Sequence, residues 1–260
     1  MSRALILMYH QVDTPRSAQE HRFCTPAEEF VRQMDHLKRA HVPVTLEALL
    51  AGLGGEQALP DNAVHVTFDD GFTGVLQNAA PVLAARAIPA TMFAVAGRLG
   101  GRNDWQTGRG FPERPLMSAA QLRELETMGF TIGSHTLSHA RLTELPPGQV
   151  SAELVQSRQA LEDALGKPVR HFAYPYGLQN DTVRGAVVDA GYETACATVS
   201  GFNRRGEDPF RLRRIDIFGT DRLWQFRQKL RFGRNDSGRL FALQYYAGRI
   251  GARLGMGRGS

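Results

Sequence analysis

The sequence is poor in cysteine and in long apolar runs. It contains 260 residues but only two cysteines, Cys24 and Cys196, and no uncharged apolar run of the about 18 residues that a membrane-spanning helix requires. Two distant cysteines exclude both a disulfide framework and a structural metal site made of cysteine, and they are typical of a reducing compartment. The apolar start, residues 4–9, is too short for a signal peptide. We therefore expect a cytoplasmic protein.

Charge is spread unevenly along the chain. Residues 202–260 contain 14 lysines and arginines against 5 acidic residues, whereas the remainder of the chain is slightly acidic. A basic segment of this kind attracts anionic headgroups or polymers, but it is also an ordinary solvated surface. No nucleic-acid-binding motif accompanies it, so we expect no nucleic-acid partner and keep peripheral contact with an anionic membrane as an open alternative.

Seven short apolar runs alternate with segments of helical periodicity. The runs are residues 4–9, 63–68, 90–95, 130–133, 169–174, 194–199 and 211–218. This alternation is typical of βα units around a parallel sheet, and seven strands suit a distorted (β/α)7 barrel of the TIM type. We expect residues 1–233 to form this barrel and residues 234–260 to form a basic tail, with an amphipathic helix as one interpretation of the tail.

Helix boundaries are marked by capping residues. Thr25 and Pro26 predict an N-cap followed by proline in the first turn. Ser118 and Gln121 form a second capping-box pattern, and Gly166 is placed to end a long helix.

Three polar clusters each follow a predicted strand. They are the aspartate pair at 69–70, the segment SHTLSH at 134–139, and YPYG at 174–177. Loops at the carboxyl ends of parallel barrel strands converge on one mouth, so residues distant in sequence can meet there.

The polar clusters contain the residue types of a catalytic metal site. On a helical turn, the spacing of His135 and His139 brings both imidazoles to one side. Two histidines and one carboxylate with open positions are typical of a catalytic metal site, and either Asp69 or Asp70 can supply the carboxylate. The other aspartate is then free to act as a base, which explains why two like charges stand side by side.

The motifs resemble those of the polysaccharide deacetylases of the NodB-homology type, carbohydrate esterase family four. The resemblance rests on TFDD at residues 67–70, HTLSH at 135–139 and FAYPYG at 172–177, in the same order along the chain, and covers roughly residues 5–232. It implies the distorted barrel and hydrolysis of N-acetyl groups on a hexosamine. It also implies Asp69 as the base, Asp70, His135 and His139 as metal ligands, and the backbone N–H of Tyr176 as an oxyanion donor.

The chain departs from the family pattern beside the base. The usual Arg-Pro-Pro-Tyr-Gly reads AYPYG at residues 173–177, so the arginine that contacts the base is missing. Arg213 or Arg214 is the candidate replacement, although an exposed ion pair is the alternative for either. The residues predicted to contact substrate are Trp105, Tyr174, Pro175 and Arg213. For Trp105, a sugar-stacking platform and an anchor for its own loop are both open interpretations.

A second departure concerns the general acid. No histidine follows His171, so the family's C-terminal Leu-x-His is absent. Protonated Asp69 is one candidate for the acid, and His10, at the end of the first strand, is another.

We therefore predict a deacetylase of N-acetylated saccharides that uses one divalent ion, Zn²⁺ with Co²⁺ or Ni²⁺ as alternatives. Three other functions are open. They are hydrolysis of a small non-sugar amide or cyclic imide on the same fold, a non-haem iron oxygenase, and a glycan-binding barrel without catalysis.

Overall fold

A curved nine-stranded sheet organises residues 3–238, which are the residues described by the computed structural model. Two further strands, β2 (Gln11–Val12) and β3 (Cys24–Thr25), form a separate two-stranded sheet. The nine strands of the main sheet are β1 (Arg3–Tyr9), β4 (Val42–Pro43), β5 (Ala63–Phe68), β6 (Ala90–Ala94), β7 (Phe130–Ser134), β8 (His171–Ala173), β9 (Thr194–Cys196), β10 (Asn203–Arg204) and β11 (Ile215–Asp216). The α-helices are α1 (Ala27–Ala40), α2 (Leu46–Gly54), α3 (Ala80–Ala84), α4 (Ala119–Thr127), α5 (Pro147–Leu165), α6 (Asp181–Asp189) and α7 (Leu223–Phe232).

The sheet curls into a barrel. Its main order is β10-β1-β5-β6-β7-β8-β9, with β11 beside β1 and β4 beside β5. All of these pairs are parallel except β1 with β10. Cys196 at the end of β9 forms a parallel bridge to Leu212, just ahead of β11, and this bridge closes the barrel. The predicted (β/α)7 barrel is confirmed, with β1, β5, β6, β7, β8, β9 and β11 around it.

Alternation along the strands separates an outer and an inner core. In β5, Val64, Val66 and Phe68 belong to the cluster that packs against the outer helices, because successive side chains point to opposite faces. The inner cluster joins residues such as Ile6 and Phe93 to the leucines of α2. Helix α2 therefore contributes to the core inside the barrel, whereas the outward-facing apolar side chains of the strands pack against the outer helices.

The inner face of β5 also holds a buried histidine. His65 is 1% exposed, with Nδ1 2.8 Å from the Val44 carbonyl and Nε2 2.9 Å from Thr91 Oγ1. Burial lowers the pKa of His65 to about 4, because the charged imidazolium is poorly solvated there.

Two of the predicted helix boundaries are confirmed and one is wrong. The capping box of Ser118 and Gln121 is confirmed at the start of α4, and Gly166 ends α5 in the left-handed conformation. The Thr25 cap is wrong: Pro26 is the N-cap residue of α1 and makes no side-chain cap bond, while Thr25 pairs in β3. The pairing of Thr25 with Val12 holds its backbone in a strand instead of a cap.

The chain after α7 returns to the barrel for the few residues described there. Asn235 Nδ2 donates to Asp216 Oδ2 at 2.7 Å, and Asn235 Oδ1 accepts from the Asp216 N–H. Most of the predicted basic tail, residues 239–260, lies outside the described residues. Across residues 3–238, no helix combines the length and apolar character needed to cross a bilayer.

We expect His65 to make stability depend on pH. Its pKa is about 6.5 in the unfolded chain and about 4 in the folded protein, so the unfolded state binds more protons between these values. Stability is therefore lost as the pH falls from about 6.5 to about 4, by at most about 3 kcal/mol. Urea unfolding across this range measures it. His65→Gln keeps a hydrogen-bonding side chain without the titration and should show a shallower slope; equal slopes contradict the assignment.

Candidate active site

Asp69 extends the inward-facing row of β5 into the mouth of the barrel. Its side chain is 2% exposed and is bound in parallel by the fully buried Arg214. Arg214 Nη1 lies 2.7 Å from Asp69 Oδ1, and Nη2 lies 2.8 Å from Oδ2. Arg214 also donates to Thr67 Oγ1 at 3.2 Å and to the Ala197 carbonyl at 3.0 Å. Four hydrogen bonds therefore hold the Arg214 guanidinium, and its two bonds to Asp69 fix the orientation of that carboxylate.

Asp70 turns into the same mouth through an unusual backbone conformation. Its φ of +76°, followed by Gly71 at +92°, breaks the strand alternation that would have sent its carboxylate outward. Asp70 Oδ1 lies 3.2 Å from His139 Nε2 and 3.6 Å from His135 Nε2. The ligand-type atoms of these three buried residues all lie within 4.8 Å of one another.

The two histidines lie on a loop, so the predicted helical turn is wrong. Thr136 and His139 both have positive φ, +66° and +63°, and Thr136 Oγ1 accepts the His139 N–H. Glu153 on α5 accepts the N–H groups of Leu137 and Ser138, each at 2.9 Å. This carboxylate fixes the tight loop, which brings the imidazoles to one side without a helix.

These residues fit a divalent cation. His135 Nδ1 lies 2.8 Å from the Ala173 carbonyl, which leaves Nε2 facing Asp70. Asp70 Oδ1 is buried, and neither of its histidine contacts has hydrogen-bond geometry. A positive ion shared by Asp70 and the two imidazoles would account for this buried oxygen without a hydrogen bond. Two imidazole nitrogens and one carboxylate oxygen are ligands that suit Zn²⁺, Co²⁺ or Ni²⁺.

Local charges keep both carboxylates ionised. Burial raises the pKa of Asp69, but the Arg214 charge and its hydrogen bonds outweigh burial and hold the pKa below its usual value. Burial likewise raises the pKa of Asp70, and the adjoining His139 outweighs it. Burial lowers the pKa of His135 to about 4, so its imidazole is neutral near pH 7, as metal binding requires.

The site opens into a cavity of about 470 Å³. Both aspartates and both histidines line it, together with His10 and Asp216. The aromatic residues of its wall are Phe23, Phe72, Phe111, Phe218, Tyr174 and Tyr176. His10 is half-buried and packs edge-on against Phe23, with ring centroids 5.2 Å apart. The structure therefore brings His10 to the site, where its predicted role as acid stays a prediction.

The predicted substrate contacts lie in different places. Tyr174 lines the cavity, but its side chain is buried and its hydroxyl donates to the Phe210 carbonyl at 3.0 Å. Pro175 is buried beside it and is not part of the cavity wall. Tyr176 is 37% exposed with φ of +59°. Trp105 is half-buried and stacks on His139, with ring centroids 4.7 Å apart.

Arg213 does not reach the site. Its Nε donates to Glu207 at 2.9 Å, and its side chain lines a different surface depression. Arg214 is the arginine beside Asp69, and it is not the exposed ion pair that was the alternative for it. Strand alternation distinguishes the two, because Arg214 shares the inward face of Leu212, whereas Arg213 shares a face with Ile215.

Asp216 is a site residue that the sequence reasoning missed. It lines the cavity two positions after Arg214, so the same alternation places it at the mouth. Burial raises the pKa of Asp216, against the lowering effect of His10. Its Oδ1 is buried without a hydrogen-bond partner among the described residues.

A family comparison agrees with this geometry. The family model described as "Polysaccharide deacetylase" matches residues 56–195, just over half of the chain and including every proposed metal ligand. The chain belongs to the polysaccharide deacetylase family, whose members are hydrolases.

Individual relatives are similar at moderate identity. The chain is 26% identical over 213 residues to the protein YxkH of Bacillus subtilis (strain 168), which covers 82% of this chain and 70% of that protein. It is 29% identical over 141 residues to a poly-beta-1,6-N-acetyl-D-glucosamine N-deacetylase of Staphylococcus aureus (strain MRSA252), covering 51% of this chain and 46% of that enzyme. The deacetylase PplD of Streptococcus pyogenes shares the fold, with a TM-score of 0.76, 21% identity, and coverage of 88% of this chain and 98% of that one.

The two neighbouring arginines offer a matched test. Arg214→Met leaves Asp69 as a buried unpaired charge, so we expect the free energy of unfolding to fall by about 3–5 kcal/mol and the pKa of Asp69 to rise. Arg213→Gln breaks only a half-exposed pair and should change stability by less than about 1 kcal/mol. Denaturant unfolding of both variants compares them, and an equal effect of the two substitutions contradicts the assignment.

Proposed function

We propose that this chain is a metal-dependent hydrolase that removes N-acetyl groups from an N-acetylhexosamine-containing saccharide. The proposal rests on one observation: of two adjacent buried aspartates, Asp70 faces two histidines and Asp69 faces an arginine. Asp70, His135 and His139 would hold the metal, and Asp69 would remain free of it.

The reaction requires a polarised amide carbonyl and an activated water. A bound divalent ion supplies both, since it acts as a Lewis acid and lowers the pKa of water toward about 7. Asp69 takes the proton from the attacking water, and the two hydrogen bonds from Arg214 aim its carboxylate at one point in the mouth.

Groups at the same mouth stabilise the oxyanion and supply the proton for the leaving amine. The backbone N–H of Tyr176, which the family resemblance assigns as the oxyanion donor, stabilises the charge on the former carbonyl oxygen. The leaving amine needs a proton, which Asp69 holds after the first step. His10 is the second candidate donor, because it lines the same cavity as both aspartates.

The substrate assignment is supported by the relatives and by the shape of the site. The Staphylococcus aureus relative is by name a deacetylase of poly-beta-1,6-N-acetyl-D-glucosamine. A cavity of about 470 Å³ with several aromatic walls is large enough for a sugar residue with its N-acetyl group. We infer an N-acetylated saccharide as substrate, with no nucleic-acid partner.

The division of roles between the ligands and the base is tested by two substitutions. Asp69→Asn should lower kcat by about 10²–10⁴-fold, because the general base is lost, while bound Zn²⁺ stays near one per chain. His139→Ala should lower metal content and activity together, because it removes a ligand. Metal analysis beside acetate release measures both. Loss of metal in Asp69→Asn would show that the two aspartates are assigned in the wrong order.

The activity itself is tested by chelation and reconstitution. Protein stripped of metal should release no acetate from short N-acetylglucosamine oligomers, and one equivalent of Zn²⁺, Co²⁺ or Ni²⁺ should restore release. A small cyclic imide assayed in parallel tests the alternative hydrolase. Saccharide binding without acetate release, with each of the three metals, would contradict the proposal and favour a glycan-binding barrel.

A further inference from the structure

The imidazole of His139 is enclosed by two aromatic rings. Trp105 lies almost parallel to it, with ring centroids 4.7 Å apart and planes inclined by 13°. Tyr176 meets it edge-on, also at 4.7 Å between centroids and with planes at 80°. The guanidinium of Arg141 lies 4.2 Å from the centre of the Tyr176 ring and covers it in turn.

The two histidines of the candidate metal site are therefore held in different ways. His135 is oriented through its second nitrogen, 2.8 Å from the Ala173 carbonyl, which is the usual arrangement for a metal ligand. The second nitrogen of His139, Nδ1, is buried and has no hydrogen-bond partner among residues 3–238. Packing against Trp105 and Tyr176 restricts the rotation of the His139 ring in place of a hydrogen bond.

We propose that Trp105 is a positioning residue for the metal, which fixes the His139 ring with Nε2 directed at the ion. The inference rests on the metal site of the proposed function and adds a residue to it. Trp105 comes from the loop after β6, whereas the three ligands follow β5 and β7. Metal affinity thus depends on a loop that contributes no ligand.

The Trp105 loop is held firmly enough for this role. The side chain of Asn103 joins two parts of the loop, since its Nδ2 donates to the Pro112 carbonyl at 3.1 Å and its Oδ1 accepts the Arg114 N–H at 2.7 Å. Arg114 is 2% exposed and forms two 2.7 Å hydrogen bonds with the buried Glu20. It also bonds Asp13 Oδ2 at 2.8 Å. The loop is therefore anchored to the segment between β2 and β3.

The contact also bears on the interpretation of Trp105 as a sugar platform. A platform needs a free ring face in the cavity, but one face of the indole lies against His139, and Trp105 is not part of the cavity wall. The interpretation as a loop anchor explains its burial but predicts no effect on metal binding. The three roles consequently predict different measurements.

Zinc affinity measured by competition with a chromophoric chelator tests the proposal without any substrate. Trp105→Ala should bind Zn²⁺ about 10–100-fold more weakly than the parent, the range expected when the support of a metal ligand is removed. Trp105→Phe keeps an aromatic face and should recover most of the affinity. Trp224→Ala, at the other tryptophan, which is 42% exposed on α7, is the matched control and should keep parental affinity.

A second measurement uses the native Trp105. Trp224→Phe leaves it as the sole indole of the chain, and its emission should be quenched by Co²⁺ with the affinity found by chelator competition. This variant keeps the loop intact, so it tests the proximity of Trp105 to the ion even if Trp105→Ala folds poorly. Emission that does not change while Co²⁺ binds would overturn the proposal.

The remaining outcomes separate this inference from the proposed function. Parental Zn²⁺ affinity in folded Trp105→Ala overturns the inference, and a raised KM for saccharide at saturating Zn²⁺ would then identify the sugar platform. Zn²⁺ binding that depends on Trp105 in a protein that releases no acetate supports the inference and contradicts only the activity. Absence of Zn²⁺ binding in the parent protein contradicts both.

Discussion

The buried pair of Asp69 and Arg214 is the interaction on which the site depends. Two adjacent carboxylates in a buried mouth repel each other unless each has its own positive partner. Arg214 neutralises Asp69 and occupies both of its oxygens along one edge, while Asp70 is left with two imidazoles. Since Arg214 lies between the Leu212 bridge and β11 while the aspartates follow β5, the pair depends on the closure of the barrel through Leu212.

Backbone strain is concentrated at the mouth. Asp70, Thr136, His139 and Tyr176 all have positive φ, which costs a non-glycine residue free energy and persists only where the surroundings enforce it. Glu153 enforces it for the histidine loop by accepting two backbone N–H groups. Among the described residues, four of the six non-glycine residues with positive φ therefore line the cavity or shape the loop of His135 and His139; the other two, Asn62 and Ala87, lie in turns ahead of β5 and β6.

Much of this arrangement could be predicted from the sequence. Apolar runs indicate the strands, and the polar clusters that follow them indicate the loops at the carboxyl ends of those strands. The seven strands were predicted, and the structure brings Asp70, His135 and His139 together as expected. The loop conformation was not predicted, since it depends on the carboxylate of Glu153 on the following helix, α5, about 15 residues further along the chain. Arg213 and Arg214 were both left open as the partner of Asp69, and only Arg213 was assigned to the substrate, although the alternation of Leu212 and Ile215 distinguishes the two arginines. The Thr25 cap failed because strand pairing competes with capping.

The partners of Arg114 have a consequence for chimeric proteins. Its guanidinium joins two stretches about a hundred positions apart, one bearing Asp13 and Glu20 and the other bearing Trp105. Exchanging either stretch alone with that of a homologue that lacks the matching charges would leave buried Arg114 or buried Glu20 without its ion-pair partner. When such a homologue is used in a chimera, the two stretches are best transferred together.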